Sequence, residues 1–383
     1  MPGVRPPSWR PISLAASAIR RSTKAIRARC AHRGLQLVPT FSLAALTILE
    51  LAPPELIEVA AHSGYDQVGL RLLPAVPGGI AYPLMEDETM LRETIRRLKA
   101  TGIAVADLEV VTFRPETEIG VFSTLFDAAA ELGAKHVLVA CYDPDLARFS
   151  DRFARFCETS FSYGLTSDLE FMPWTAVPDL RTAARIVEEV AHSGAGVLVD
   201  ALHFDRSGSR IEDLRAIPVQ RLHYWQICDG PAERPPEELI HAAREERLFP
   251  GEGGIDLVRL AMAMPADLTI SVEVPTVQLA KRVNAETRAR RALQAAKGDP
   301  LQEDGRRSSR SPFSPTNDRP GKVVPFRERL SCTVDEACAV TGLGHTKLYE
   351  LIGSGQLITT TIGRRRLVIV RSLLELVDTT IPA

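Results

Sequence analysis

Residues 136–141 (HVLVAC), 196–201 (GVLVDA) and 268–274 (LTISVEV) decide the fold. Each is a nearly unbroken apolar run, short enough for a strand and too apolar for a strand with one wet face, so each reads as a strand covered on both sides. Five further short runs, at 41–46, 67–73, 103–112, 165–172 and 221–228, complete a series of eight, and longer amphipathic stretches lie between them. Pro53-Pro54 open one such stretch and Gly64 closes it, the order that helix ends prefer. Asp179 to Ser193 is another, with Leu180, Ala183, Ala184, Val187, Val190 and Ala191 at helical spacing and Gly194 after it. Eight strand–helix units over residues 35–297 predict an α/β fold, a (β/α)8 TIM barrel. A doubly wound open sheet would usually have fewer strands and a Gly-rich first turn, which is missing here.

The chain has 383 residues, 45% hydrophobic and 25% charged, enough for a large core and more than one domain. Its net charge of −2 conceals a segregation. Residues 1–49 carry eight basic and no acidic side chains, 50–287 carry 22 basic and 38 acidic, 288–329 carry 11 and five, and 330–383 carry five of each. The acidic central part suits a small-molecule enzyme better than a DNA clamp. Six scattered cysteines without a C-x-x-C pair read as reduced, buried thiols, and no apolar run is long enough to span a membrane. Both point to a cytoplasmic protein. Residues 1–34, basic and free of acids, read as a disordered leader, with a transit peptide as the alternative.

Residues 298–329 are rich in Gly, Pro, Ser and charge, the composition of a flexible linker whose ends would lie some ~30 Å apart. Residues 330–383 then form a compact unit. Thr333-Val-Asp-Glu336 is a capping box, Thr341-Gly-Leu-Gly344 a turn, and His345 to Ser354 a second helix. Leu357 to Val370 alternates like a two-stranded ribbon around Gly363-Arg364-Arg365-Arg366.

Polar residues at the carboxyl ends of barrel strands converge on one mouth. Four consecutive strands each place one inside an apolar run: Glu170, Asp200, Gln226 and Glu273. Unpaired carboxylates there would cost several kcal/mol or take up protons. One divalent cation relieves this, and three carboxylates with an amide oxygen suit Mn²⁺, Mg²⁺ or Co²⁺.

These motifs resemble the xylose-isomerase-like sugar phosphate isomerase/epimerase family over roughly Thr40 to Gln294. The likeness rests on LEFMP at 169–173, VDALHF at 199–204, QICDGP at 226–231, PGEG at 250–253 and SVEVP at 271–275. It implies a TIM barrel in which Glu170, Asp200, Gln226 and Glu273 hold the metal and His203 contacts substrate. Many epimerases have His where Gln226 stands, whereas the related 3-dehydroshikimate dehydratases are similar to this chain in having Gln. The shared chemistry is removal of a proton alpha to a polarised carbonyl. Returning it to the opposite face gives epimerisation, returning it to the next carbon gives isomerisation, and expelling a β-hydroxyl gives dehydration. Glu170 and Glu273 are the expected acid/base pair for the first two, and His203 the proton carrier for the third. Arg206 and Arg247 are further substrate-binding candidates. Arg247 lies three residues before Pro250-Gly-Glu-Gly-Gly254, a loop whose closure would bring Arg247 or Glu252 to substrate oxygens. Asp229 is expected to fix a neighbouring Arg or loop rather than bind metal, and His62, His136, His192, His223 and His241 to be structural.

The unit from Leu330 onward resembles the excisionase family of winged helix-turn-helix DNA-binding domains, through LSCTVDEA at 330–337, TKLY at 346–349, SGQL at 354–357, IGRRR at 362–366 and VRSLL at 370–374. The likeness implies that His345, Thr346, Lys347 and Tyr349 face a major groove and that Arg364, Arg365 and Arg366 face phosphates. The expected partners are therefore a small polyhydroxylated carbonyl substrate and DNA, with no membrane and with homo-oligomer formation left open. The rival from another class is a ligand-sensing DNA-binding regulator with a non-catalytic barrel.

Overall fold

The structure, a computed structural model, describes residues 39–233, 235–298, 331–341, 343–354, 356–362 and 365–378. The expected leader, the expected linker beyond Gly298 and Arg364 lie outside these residues. The chain divides into two compact units, one within Met1–Asp304 and the other within Gly305–Ala383.

The first unit is a closed barrel of eight parallel strands: β1 (Phe41–Leu43), β2 (Gln67–Arg71), β3 (Ala104–Phe113), β4 (His136–Cys141), β5 (Thr166–Glu170), β6 (Ala195–Asp200), β7 (Tyr224–Ile227) and β8 (Thr269–Val272). β1 closes the ring by pairing with β8, with Phe41 beside Ile270. β4 matches its expected bounds, while most others are shorter because the flanking residues turn into the loops at one or both ends of the barrel. Among the described residues no helix is long and apolar enough to cross a membrane.

Helices cover the outer face of the sheet for reasons visible in their sequences. In Leu146–Ser162 the buried residues Phe149, Phe153, Phe156, Cys157 and Ser160 recur at helical spacing, and Asp145 caps the start by accepting from Arg148 N at 3.1 Å. Its phenylalanines meet Phe113 of β3 edge-on at 5.4 Å, an arrangement that aromatic quadrupoles favour. Pro53–Ser63 ends, as expected, on Gly64 in the left-handed conformation (φ 87°). The helix expected from Asp179 runs over Leu180–Val190, with Asp179 as its cap. It ends on Ala191 at φ 54° rather than near Gly194, because the Ala191 N–H still reaches Val187 O at 3.3 Å and closes the last turn there. The barrel thiols Cys141, Cys157 and Cys228 are buried and unbridged, and burial pushes the Cys141 thiol up to about 12 and the other two further up.

Strand pleating and register sort the side chains by face. Thr166, Asp168 and Glu170 of β5 share the inner face with Gly196, Leu198 and Asp200 of β6, and with Asp107 and Glu109 of β3. A small apolar layer of Val110, Leu138, Ala140, Met172, Leu198 and Tyr224 lies inside the ring. The inner wall is otherwise strongly polar. Gly196 is required by this crowding, since a Cβ there would stand 2.3 Å from Asp168 Oδ1 and 2.5 Å from His223 Nδ1.

The second unit, described by itself, contains β9 (Ser331–Thr333), helices Val334–Thr341 and His345–Gly353, the antiparallel hairpin β10 (Thr359–Ile362) and β11 (Arg365–Ile369), and a helix Val370–Asp378. The expected ribbon is present, and β9 adds a third strand against β11 that the capping-box reading left out. Thr346, Lys347 and Tyr349 are exposed on their helix, and Lys347 pairs with Glu350 at 2.9 Å.

Gly196→Ala is expected to lower stability by at least ~2 kcal/mol, the scale of overpacking in a rigid core. Urea denaturation checks this, and an unchanged midpoint would contradict the packing described.

Candidate active site

Glu170 and Asp200 are the last residues of β5 and β6, Gln226 is the penultimate residue of β7, and Glu273 directly follows β8. Register places Asp200 beside Gln226. All four are buried at the carboxyl-terminal mouth, Asp200 and Gln226 completely. The three-residue spacing from Asp200 to His203 has a local cause: Asp200 caps the short helix Ala201–Arg206 and accepts from His203 N at 2.9 Å.

Arg247 does not hang from a mobile loop as expected. It is buried, donating to Asp200 Oδ2 at 2.6 Å and approaching Glu273 Oε2 to 2.8 Å, while its Nε donates to Ala243 O at 2.9 Å. Burial opposes ionisation of Asp200, but Arg247 prevails and holds its carboxyl below the ordinary value. Glu170 has no such partner, and burial, then Asp200 and Glu273, push its carboxyl well up. Burial raises Glu273 to about 7 against the pull of Arg247.

His203 lies edge-on to Trp174 with ring centroids 5.1 Å apart, and its Nε2 is 3.6 Å from Glu170 Oε1. Burial lowers it to about 4, so the ring is neutral near pH 7. Its Nδ1 has no hydrogen-bond partner, and neither does the amide oxygen or nitrogen of Gln226.

These features fit a divalent ion. Three ionised carboxylates against the one guanidinium of Arg247 leave a deficit of two positive charges, and the orphaned Gln226 amide is a buried oxygen donor awaiting a partner. Protons can meet the same deficit, which is the meaning of the raised Glu170 and Glu273 values.

A cavity of about 180 Å³ opens beside this group. Glu170, His203, Arg247 and Glu273 form part of its polar side, and Ile80, Val110, Met172 and Trp174 part of its apolar side. Arg206 and Glu252 do not line it. Arg206 pairs with Asp205 and donates to Pro231 O at 2.8 Å, and Glu252 lies 3.6 Å from Arg291. Asp229 fixes the loop, as expected, by accepting from the backbone N–H groups of Gly230, Gly251 and Ile255.

The model of the family described as xylose isomerase-like TIM barrel matches residues 57–298, well over half of the chain. The chain belongs to that family. It is 24% identical over 215 residues to an inosose isomerase of Bacillus velezensis, covering 52% of this chain and 74% of the relative. Among solved structures, the IolI protein with a bound zinc atom matches with a TM-score of 0.58 at 22% identity, over 67% of this chain and 96% of that one. The probable 3-DHS dehydratase of Bacillus anthracis matches with a TM-score of 0.52 at 15% identity, over 67% and 97%.

This xylose isomerase-like barrel also brings to its mouth residues that the sequence reading did not single out. Arg71 and Glu109 pair at 2.7 Å within the barrel. Tyr142 accepts hydrogen bonds from Trp174 Nε1 at 3.0 Å and Arg244 Nη2 at 3.2 Å. Arg71, Tyr142, Trp174 and Arg244 all line the cavity. Arg244 makes no ion pair among the described residues. The alternation of Asp107 and Glu109 along β3 was a usable signal for a polar inner wall. Nothing local marked Arg244 or Trp174.

The raised Glu273 carboxyl has a thermodynamic consequence. A carboxyl that binds its proton more tightly when folded contributes stability in full below about pH 4.5, and that contribution is lost as pH rises through about 7. In chelator-treated protein, the stability of wild type relative to Glu273→Gln should therefore fall by roughly 3 kcal/mol from pH 4.5 to about pH 8. Denaturant titrations at the two ends measure the gap, and a pH-independent gap would refute the assignment.

Proposed function

We propose that the barrel is a divalent-metal-dependent isomerase or epimerase of a small polyhydroxylated carbonyl compound, acting by proton abstraction alpha to the carbonyl. The observation that carries this reading is the mouth itself: three carboxylates, one guanidinium and an unpartnered amide gathered at the ends of four successive strands. Glu170, Asp200, Gln226 and Glu273 would hold the ion, which when bound polarises the substrate carbonyl.

The rest of the chemistry falls to side chains. Glu170 on β5 and Glu273 after β8 approach the cavity from separate strands, as needed to take a proton from one face of a carbon and return one to the other. Arg247 keeps Asp200 and Glu273 in position, so that neither collapses onto the substrate. Neutral His203 beside Glu170 is placed to carry a proton to or from a hydroxyl. Trp174 and the apolar wall keep water from the carbon being deprotonated.

A second reading, a lyase resembling 3-dehydroshikimate dehydratases, is supported by Gln226 and by Arg244. A cavity-lining guanidinium with no carboxylate partner suits a substrate that carries its own carboxylate. In that reading His203 delivers the proton to the departing β-hydroxyl. For the C-terminal unit the reading is DNA binding, supported by exposed Thr346, Lys347 and Tyr349 on one helix and by Arg365 and Arg366 in the hairpin sequence. His345 begins that helix, and Arg364 belongs to the same wing motif.

Manganese-loaded protein in D₂O is expected to place deuterium into a ketose or an inosose, and Glu170→Gln or Glu273→Gln to slow this by roughly 10²- to 10⁴-fold. Should 3-dehydroshikimate turn over instead, Arg244→Gln should raise its KM about tenfold or more. Exchange into none of the three, with metal bound, overturns the enzyme reading in favour of the ligand-sensing regulator. For the C-terminal unit, full-length protein should bind a duplex in a salt-dependent manner, with Lys347→Ala weakening it, as anisotropy titrations at several salt concentrations would measure. Equal affinity of wild type and variant at low salt would remove Lys347 from that interface.

A further inference from the structure

The mouth does not use up the polar side chains inside the barrel. A second group lies toward the amino-terminal ends of the strands, where His136 begins β4, Thr166 begins β5 and His223 immediately precedes β7. Asp168 sits on the inner face two residues before Glu170, about 6.6 Å nearer the base. One nitrogen from each histidine and one oxygen of Asp168 lie within 4.8 Å of one another.

We propose that His136, Asp168 and His223 form a second cation site, separate from the mouth and suited to zinc or a similar borderline divalent ion. His223 Nδ1 is 2.7 Å from Asp168 Oδ1, and His136 Nδ1 is 3.7 Å from Asp168 Oδ2. The two imidazole planes are nearly parallel, 6° apart with centroids at 6.1 Å, so the two rings flank one carboxylate. Zinc–nitrogen bonds of ~2.0–2.1 Å put tetrahedral donors roughly 3.3 Å apart, so the three atoms, now within 4.8 Å of one another, would move by up to about 1.5 Å to surround an ion. The ion would take the place of the proton that His223 and Asp168 share, leaving His223 protonated on Nε2. Thr166 Oγ1, 2.7 Å from His136 Nδ1 and 2.8 Å from Asp168 Oδ2, would release the histidine and keep its bond to the carboxylate.

Three independent features favour an ion over a closed hydrogen-bond network. First, glycine at residue 196 lets Asp168 and His223 crowd against β6, which brings their donor atoms together. Second, both histidine side chains retain about one-sixth of their exposure, which leaves a path from solvent. Third, Asp107 pairs in register with His136, is fully buried, and has no hydrogen-bond partner for either carboxylate oxygen. Burial, then Glu109, Glu273 and Asp168, push its carboxyl well up, so the acids crowded here would be relieved by a nearby cation. The donor sets also differ in kind: the four expected ligands at the mouth offer oxygens only, with the single imidazole of His203 beside them, whereas this group offers two imidazoles and a carboxylate. Hard and borderline ions should therefore sort between the two.

X-ray absorption on the zinc-loaded full-length protein provides the test. Imidazole scattering is expected in wild type and in the double mouth variant Asp200→Asn/Glu273→Gln. It should disappear when His136→Gln/His223→Gln is added to that mouth variant, together with one zinc equivalent per chain. Absence of imidazole scattering in wild type, or its survival in the combined variant, overturns the proposal. Because the wild-type and mouth-variant spectra need no change at the base, a misfolded histidine variant leaves the test decisive, and failure of the mouth to bind metal is read separately from failure of the base.

Discussion

Everything at the mouth is conditioned by the burial of Arg247 between Asp200 and Glu273. A guanidinium taken out of water is costly unless its donors are matched, and here two carboxylates and the Ala243 carbonyl match them. The pairing does more than neutralise. It separates the two acids, holding Asp200 below its ordinary value while burial raises Glu273 to about 7, and Glu170, which the guanidinium does not contact, is pushed well up by burial. Burial, with one cation that contacts two of the three acids, gives three carboxylates different protonation behaviours.

The barrel and its four mouth residues were legible because the signals were local. A carboxylate or amide inside an apolar strand violates the pattern around it, and the parallel-barrel rule says where strand ends converge. Arg247 does line the cavity, but by another route than loop closure. Its neighbouring glycines suggested a swinging loop, whereas two carboxylates 26 and 47 residues away in the sequence draw its side chain inward. Arg206 and Glu252 were polar residues near motif positions, and each is occupied by a local partner away from the cavity.

The grouping of the basal histidines lay beyond what neighbouring residues could signal. His136 and His223 are 87 positions apart, and each alone looks like an ordinary residue at a strand entrance. Only ring closure, strand tilt and an empty Cβ position at residue 196 bring them to one carboxylate. Helix ends showed a milder form of the same limit: Ala191 accepts a conformation usually left to glycine, because the backbone bond to Val187 sets the end of the turn.

The barrel's sulfur atoms follow from the same packing. Cys141, Cys157 and Cys228 are sealed in and resist forming thiolates, so electrophiles and peroxide have little to attack while the ring is intact. Their alkylation, followed peptide by peptide, would act as a clock for barrel opening, reporting at β4, the helix after it and the segment after β7 when each parts from its neighbours.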